Sequence, residues 1–261
     1  AGCRDEEHRL RQAIADYQRV TLWFELDAHD QLILLRCLAF FAQHGLPQRL
    51  ELISVGDFPG AQRFLGLGQL PPEALRLLWQ TRKTIRAEHV RLARDVWQAY
   101  IAADPRTLAK CLRTDTSLLP QLRDALQRQL AELPAPHNGL GATQQLLLAT
   151  LAKFGRLKVA RLIGETFLAR DAYSGIGDSG LDYELRQMER ARDPVFIREH
   201  NGGMRLDFIE ITELGKRVLA GNVNWLTLQP PPRWIGGVCI VPGQPNWHWD
   251  AGANDVTLQM R

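Results

Sequence analysis

Four cysteines stand far apart in 261 residues, at Cys3, Cys37, Cys111 and Cys239, and none belongs to a Cys-x-x-Cys pair. That spacing argues against a zinc ribbon and against a disulfide framework, so reduced thiols are expected. Cys37 lies in an apolar run and is expected to be a small core residue. Charge of one sign is also lacking: 32 basic residues face 29 acidic ones, a formal net charge of +3. Composition therefore makes no strong electrostatic case for nucleic acid or an anionic membrane. No apolar run reaches the roughly 18 residues that would span a bilayer. The opening residues, Ala1-Gly-Cys-Arg-Asp-Glu-Glu7, are polar and do not form a signal peptide. They lack an initiator Met, so a further N-terminal segment is expected ahead of Ala1. The expected compartment is the cytoplasm. No internal repeat, low-complexity tract, H-E-x-x-H or G-x-S-x-G occurs.

What is present reads as a packed globular chain. Apolar residues make up 45% and charged residues 23%, and the length suits two modest domains. Residues 4–17 have a charged helical pattern. Val20-Thr-Leu-Trp-Phe24 reads as a buried strand, followed by a polar turn at residues 25–30 and a helix over 30–43 that is apolar almost all round. Residues 50–55 read as a second strand. Strand, helix and strand in this span predict a parallel βαβ unit. A Gly-rich loop over 56–69 leads to a helix opened by Pro71-Pro72 and running to Ile85. An amphipathic helix over 88–102 has Val90, Ala93, Trp97, Tyr100 and Ile101 on its apolar face. A short helix follows to Arg113, and a Leu-striped one covers 119–133.

Residues 134–139, Pro-Ala-Pro-His-Asn-Gly, read as a linker. Beyond it, helices are predicted over 143–153, 157–169 and 178–191. Strands over 195–200 and 204–209 are joined by Asn201-Gly-Gly203, a hairpin turn signal. A closing helix over 212–220 stops at Gly221. Three helices, a hairpin and a helix make a winged-helix pattern. The tail holds Trp225, Trp234, Trp247 and Trp249, expected as a hydrophobic clasp, with strands near 237–241 and 256–260. The fold class expected is α/β and mainly helical. An α/β domain over 1–134, incomplete at its N-terminus, precedes a winged-helix domain with a small β tail over 140–261.

The sharpest candidate site is the acidic turn: Glu25, Asp27, His29 and Asp30, with Asp57 beyond the second strand. Open α/β sheets bind ligands outside the carboxyl ends of their strands. Carboxylates there can hold Mg²⁺ or bond a ribose or sugar. They can equally cap the following helix, with Asp27 accepting its free N–H groups. Gly66-Leu-Gly68 lacks the third glycine of a dinucleotide fingerprint and reads as a tight loop. Gly215-Lys216 lacks the glycines of a phosphate loop. Gly177-Asp-Ser-Gly180 has the wrong spacing for a nucleophile elbow. The helix over 178–192 carries four acids against three arginines, and residues 140–220 carry twelve basic and eleven acidic residues. That balance disfavours duplex DNA, which rewards phosphate neutralisation.

The block Trp23-Phe-Glu-Leu-Asp-Ala-His-Asp-Gln-Leu32 resembles the signature of a bacterial family catalogued as domain of unknown function 1835. Phe58-Pro-Gly60, Gly66-Leu-Gly-Gln-Leu70, Asp115-Thr-Ser117, Asn138-Gly-Leu140, Leu214-Gly-Lys-Arg-Val-Leu-Ala-Gly221, Arg233-Trp-Ile-Gly-Gly237 and Trp247-His-Trp-Asp250 are similar to it as well. Together these blocks reach over most of the chain. Members resemble one another in having a segment ahead of the position of Ala1, and they usually carry histidine where this chain has Leu26. The family has no established activity, so the resemblance implies architecture. The function expected is a ligand-sensing or regulatory protein that binds a nucleotide- or sugar-like molecule, with a protein partner as another reading. A metal-dependent phosphate-transfer or hydrolytic enzyme is the alternative, and a DNA-binding regulator is a third.

Overall fold

The computed structural model describes residues 2–60, 64 and 66–259. The chain is mixed α/β with helices dominant. It divides into two compact units, one of residues 1–101 and 110–126, the other of residues 102–109 and 127–261. Among the described residues no helix is long and apolar enough to cross a membrane.

In the first unit, α1 (Gly2–Asp16) precedes β1 (Val20–Glu25), α2 (Ala28–His44) and β2 (Leu50–Val55). β-branched and aromatic residues dominate β1, and Ile53 and Val55 contribute to β2, which favours extended backbone. The two strands pair in parallel, from Val20 opposite Leu50 to Glu25 opposite Val55, with α2 as the crossover. α2 ends at Gly45, whose φ of 104° is open to glycine and whose N–H bonds the Phe41 carbonyl at 3.0 Å. α2 buries Leu34, Leu35, Leu38, Ala39 and Phe41, but Ile33 is exposed, so the helix is not apolar-packed all round. Cys37 is half-buried rather than core, and burial pushes its thiol pKa up.

After β2 come α3 (Pro72–Leu78), β3 (Lys83–Thr84) and α4 (Ala87–Tyr100). The helix expected to reach Ile85 stops at Leu78. The edge of β2 offers unpaired backbone groups that must find partners. β3 takes them, with Thr84 opposite Glu51 and the Ile85 N–H on the Leu50 carbonyl at 2.9 Å. α4 packs on α2 along Val90, Ala93, Val96 and Ala99, a three-residue stripe. Ile101, expected on that face, is exposed.

α5 (Arg106–Cys111) and α6 (Leu122–Leu130) each contain a point where the chain passes between units. The second unit continues with α7 (Ala142–Phe154), β4 (Leu157–Lys158), α8 (Val159–Ala169), α9 (Asp178–Met188), β5 (Phe196–Glu199), β6 (Phe208–Ile211) and α10 (Glu213–Leu219). Its sheet has the order β4-β6-β5, all antiparallel. Leu151 and Val159 from the helices meet Ile209 and Val218 in one core. The tail adds two ribbons, β7 (Arg233–Ile235) with β8 (Val238–Ile240), and β9 (Asn246–Asp250) with β10 (Asp255–Gln259).

Three expectations change here. Residues 134–139 are an ordered part of the second unit and not a linker. Asn138 is fully buried, its side chain accepts the Leu140 N–H at 3.0 Å, and its carbonyl accepts the Trp225 N–H at 2.7 Å. The Pro134 carbonyl takes the Trp249 N–H at 3.0 Å. The tryptophans do not all form a clasp: Trp225 and Trp249 are buried, but Trp234 is 71% exposed. The connection between β5 and β6 is longer than the tight turn expected at 201–203. Asp207 organises it, accepting the N–H groups of Asn201 at 2.7 Å and Gly203 at 3.0 Å.

Asp207 also meets Arg198 of β5 at 2.8 Å, and Arg198 reaches Asp182 of α9 at 3.1 Å. The Asn201 N–H foremost, with Arg198 and the Gly203 N–H, outweighs burial and holds the Asp207 carboxyl down at about 2 from its ordinary 3.8. A carboxyl depressed in the folded state stabilises above its unfolded pKa and loses that effect as pH falls through the folded one. Asp207→Asn is therefore expected to lower the melting temperature at neutral pH, with the gap to the unsubstituted chain narrowing between about pH 4 and about pH 2. Equal melting at pH 7 would show that the Arg198 pairing contributes nothing.

Candidate functional site

The acidic turn begins at the last residue of β1. Asp27 takes the cap position of α2, where its carboxylate accepts the Asp30 N–H at 3.0 Å. Burial pushes the Asp27 carboxyl above its ordinary value, against the lowering effect of that hydrogen bond. The Asp30 carboxylate turns back and accepts the Glu25 N–H at 2.7 Å. Gln31 donates its side-chain amide to the Glu25 carbonyl at 2.6 Å. The Glu25 carboxylate accepts the Leu67 N–H at 2.6 Å, across 42 residues of chain. Gly66 sits so close to that carboxylate that any Cβ there would collide with it. This close approach gives Gly66-Leu-Gly68 a purpose without a phosphate.

Glu25, Asp27 and Asp30 are thus brought together, but their oxygens point at backbone N–H groups. His29 and Asp57 are exposed. Among the described residues no group of three or more His, Cys, Asp or Glu is placed to hold a metal ion. The acidic turn, read from sequence as a site for Mg²⁺, does not bring such a donor set together. Its carboxylates are engaged in ordering the strand end, the helix start and the loop at 66–67.

A second location was not singled out from sequence. In the second unit a cleft of about 280 Å³ opens between α9 and residues 230–234. Its helical wall presents Tyr183, Glu184, Gln187 and Met188, and Pro230, Pro231, Pro232 and Trp234 stand opposite, with Trp225 also lining it. Tyr183 is 62% and Trp234 is 71% exposed, so both rings offer free surface. The polar groups are fixed in place. Arg233 bonds the Glu132 carboxylate at 3.2 Å and carbonyl at 3.1 Å, and lies 3.5 Å from Glu184. Gln144 donates to Glu184 at 2.7 Å. Burial pushes the Glu132 carboxyl up, but Arg128 and Arg233 outweigh it and hold its pKa below the ordinary value. The sequence signals were Pro230-Pro-Pro-Arg-Trp234 and the i, i+4 pair Tyr183 and Gln187 on one helical face.

No protein-family model and no curated protein matches the chain. The geometry makes the acidic turn a capping device with measurable consequences. Asp27→Ala is expected to cost about 0.5–2 kcal/mol, as loss of a helix cap does, in chemical denaturation. Glu25→Ala is expected to accelerate hydrogen exchange at the Leu67 amide. Unchanged stability and unchanged exchange would return these acids to the role of free ligand groups.

Proposed function

We propose that the chain is a non-catalytic, ligand-binding regulatory protein, and that its ligand is a small uncharged ring molecule of sugar-like chemistry held in the cleft beside α9. The cleft carries this reading. Ligand sites are concave, largely apolar and furnished with a few fixed polar groups, and this one combines two exposed aromatic rings with Gln187, Glu184 and Arg233. Aromatic faces stack on the apolar side of a sugar ring, and carboxamide and carboxylate groups bond its hydroxyls. The Glu184 and Arg233 charges offset one another, which favours a neutral ligand over an ion.

The reading includes a winged helix over residues 142–219, supported by the element order α7-β4-α8-α9-β5-β6-α10 and the strand order β4-β6-β5. In such a module α9 is the helix that would enter a DNA groove. Here Asp182 and Glu184 engage Arg198 and Gln144, and the helix is acidic on balance, which favours a small ligand or protein partner over duplex DNA. A nucleotide- or sugar-like ligand at Glu25, Asp27, His29, Asp30 and Asp57, or metal-dependent chemistry there, is the weaker reading, because three of those carboxylates already accept backbone N–H groups. Membership of the family catalogued as domain of unknown function 1835 belongs to the same proposal and rests on the residue blocks quoted above.

The test is a thermal-shift and tryptophan-fluorescence screen with neutral mono- and disaccharides, since a ligand of the native state must stabilise it. At a hundredfold excess over Kd the gain is about 2.7 kcal/mol. Trp234→Ala is expected to abolish the response while changing basal stability by no more than about 0.5 kcal/mol, as befits an exposed side chain. A response that survives Trp234→Ala but is lost in Glu25→Gln would move the site to the strand edge. No response to any sugar would overturn the ligand class.

A further inference from the structure

A second surface lies in the first unit, at the opposite end of the parallel strands from the acidic turn. Arg19 immediately precedes β1 and Arg49 immediately precedes β2, and the register that sets Val20 beside Leu50 brings them to one end of the sheet. Arg82 immediately precedes β3. All three guanidiniums converge on Glu51, whose side chain is 2% exposed, at 2.8 Å from Arg49, 3.4 Å from Arg82 and 3.7 Å from Arg19. Thr21 also donates to this carboxylate, at 3.3 Å. Among the described residues Glu51 is the one acid within 4 Å of any of these three arginines. One negative charge cannot balance three positive ones, so two are left over. Burial pushes the Glu51 carboxyl up, but the hydrogen bond from Arg49 and the three positive charges outweigh it and keep it ionised. Arg19 and Arg49 remain 44% and 49% exposed, and Lys83 adds an exposed positive charge beside Arg82.

Aromatic rings continue the same strip. Trp23 lies two residues from Thr21 along β1 and so on the same face of the sheet. It stacks on Trp79, with ring centres 6.3 Å apart and planes within 20°. The Arg82 guanidinium lies 4.6 Å above the Trp79 ring and bonds the Trp79 carbonyl at 2.6 Å. Trp23, Trp79, Arg82, Glu51, Arg49 and Arg19 therefore form one connected series, and both tryptophans are half-buried and held in place. Surplus guanidinium charge next to fixed, partly exposed rings is the pairing that single strands select, with phosphates on the arginines and unpaired bases on the aromatic faces. A duplex hides its base faces and can use only the charge.

We propose that this arginine and tryptophan strip of the first unit is a binding surface for single-stranded nucleic acid. It is independent of the cleft beside α9. The test uses the full chain and fluorescence anisotropy with labelled oligo(dT) and oligo(U) of about 12 nucleotides, and a duplex of the same length as comparison. The expected result is binding of the single strands with quenching of tryptophan emission. The logarithm of affinity should fall with the logarithm of salt by about 0.7 for each phosphate neutralised. Arg19→Ala and Lys83→Ala, which alter exposed groups and leave the Arg49 pairing with Glu51 intact, should each weaken binding severalfold and flatten the salt slope by close to one phosphate. Arg19→Lys should keep most of the slope, since a phosphate contact needs the charge. Circular dichroism confirms that each variant is folded. Duplex binding as tight as the single strand, unchanged affinity in both alanine variants, or binding without tryptophan quenching would each overturn the proposal.

Discussion

Arg198 carries a permanent positive charge into the interior of the second unit, where its side chain is 1% exposed. A buried charge without partners costs several kcal/mol, so the surrounding structure must supply acids. It supplies two from different places: Asp207 from the connection between β5 and β6, and Asp182 from α9. Each acid then takes on a second task. Asp207 gathers the Asn201 and Gly203 N–H groups, and Asp182 pairs with Arg186 one helical turn along. One guanidinium thereby fixes the long connection to the sheet and α9 to β5. The face of α9 that lines the cleft is set by the same contact, so the disposition of Tyr183 and Glu184 depends on a charge that neither of them touches.

Three carboxylates show how partner number decides what a buried acid becomes. Asp207 is matched by one arginine and two backbone N–H groups and is wholly internal. Glu132 lies between Arg128 and Arg233 and also accepts from the Thr143 hydroxyl, which ties α6 to α7 and to the start of β7. Glu51 is oversupplied, with three arginines for one carboxylate. In the first two cases the protein satisfies the charges and the hydrogen bonds together. In the third it satisfies the acid and leaves positive charge at the surface. A net charge of +3 for the whole chain conceals this, because ionic interactions are decided within a few ångströms and not by the total.

The acidic turn illustrates competition between ligand and backbone. A carboxylate at a strand end can wait for a cation, but the first N–H groups of the next helix lack intrahelical acceptors and are always present. Asp27 is taken by such an N–H group, that of Asp30, while Asp30 turns back to the Glu25 N–H at the end of β1 and Glu25 accepts from the distant Leu67. Only the last of these could not be foreseen from local spacing.

Local pattern determined much of the architecture. A short apolar run rich in β-formers marked β1, a short run over 50–55 marked β2, a nearly continuous apolar run after the acidic turn marked α2, and helical patterns beyond residue 139 marked α7 to α9. These features follow from preferences that act within a few residues. The strands β3, β4, β7 and β9 were not legible, nor was the end of α3 at Leu78. β3, β4 and β7 have only two or three residues and so no local pattern, and the five residues of β9, Asn246–Asp250, lack the β-branched run that marks a strand; all four exist because a neighbouring edge has backbone groups to pair. Pro, Asn and Gly at 134–139 read as a linker, and only the hydrogen bonds that the Trp225 and Trp249 N–H groups make to Asn138 and Pro134 reveal the segment as part of a folded unit. The five residues proposed for the strand-end site were visible in sequence, whereas Arg233 and Glu132 stand 101 residues apart and Thr21 and Glu51 stand 30 apart. Tertiary folding alone decides which charges share a few ångströms, because electrostatic pairing depends on distance in space and the sequence specifies only distance along the chain.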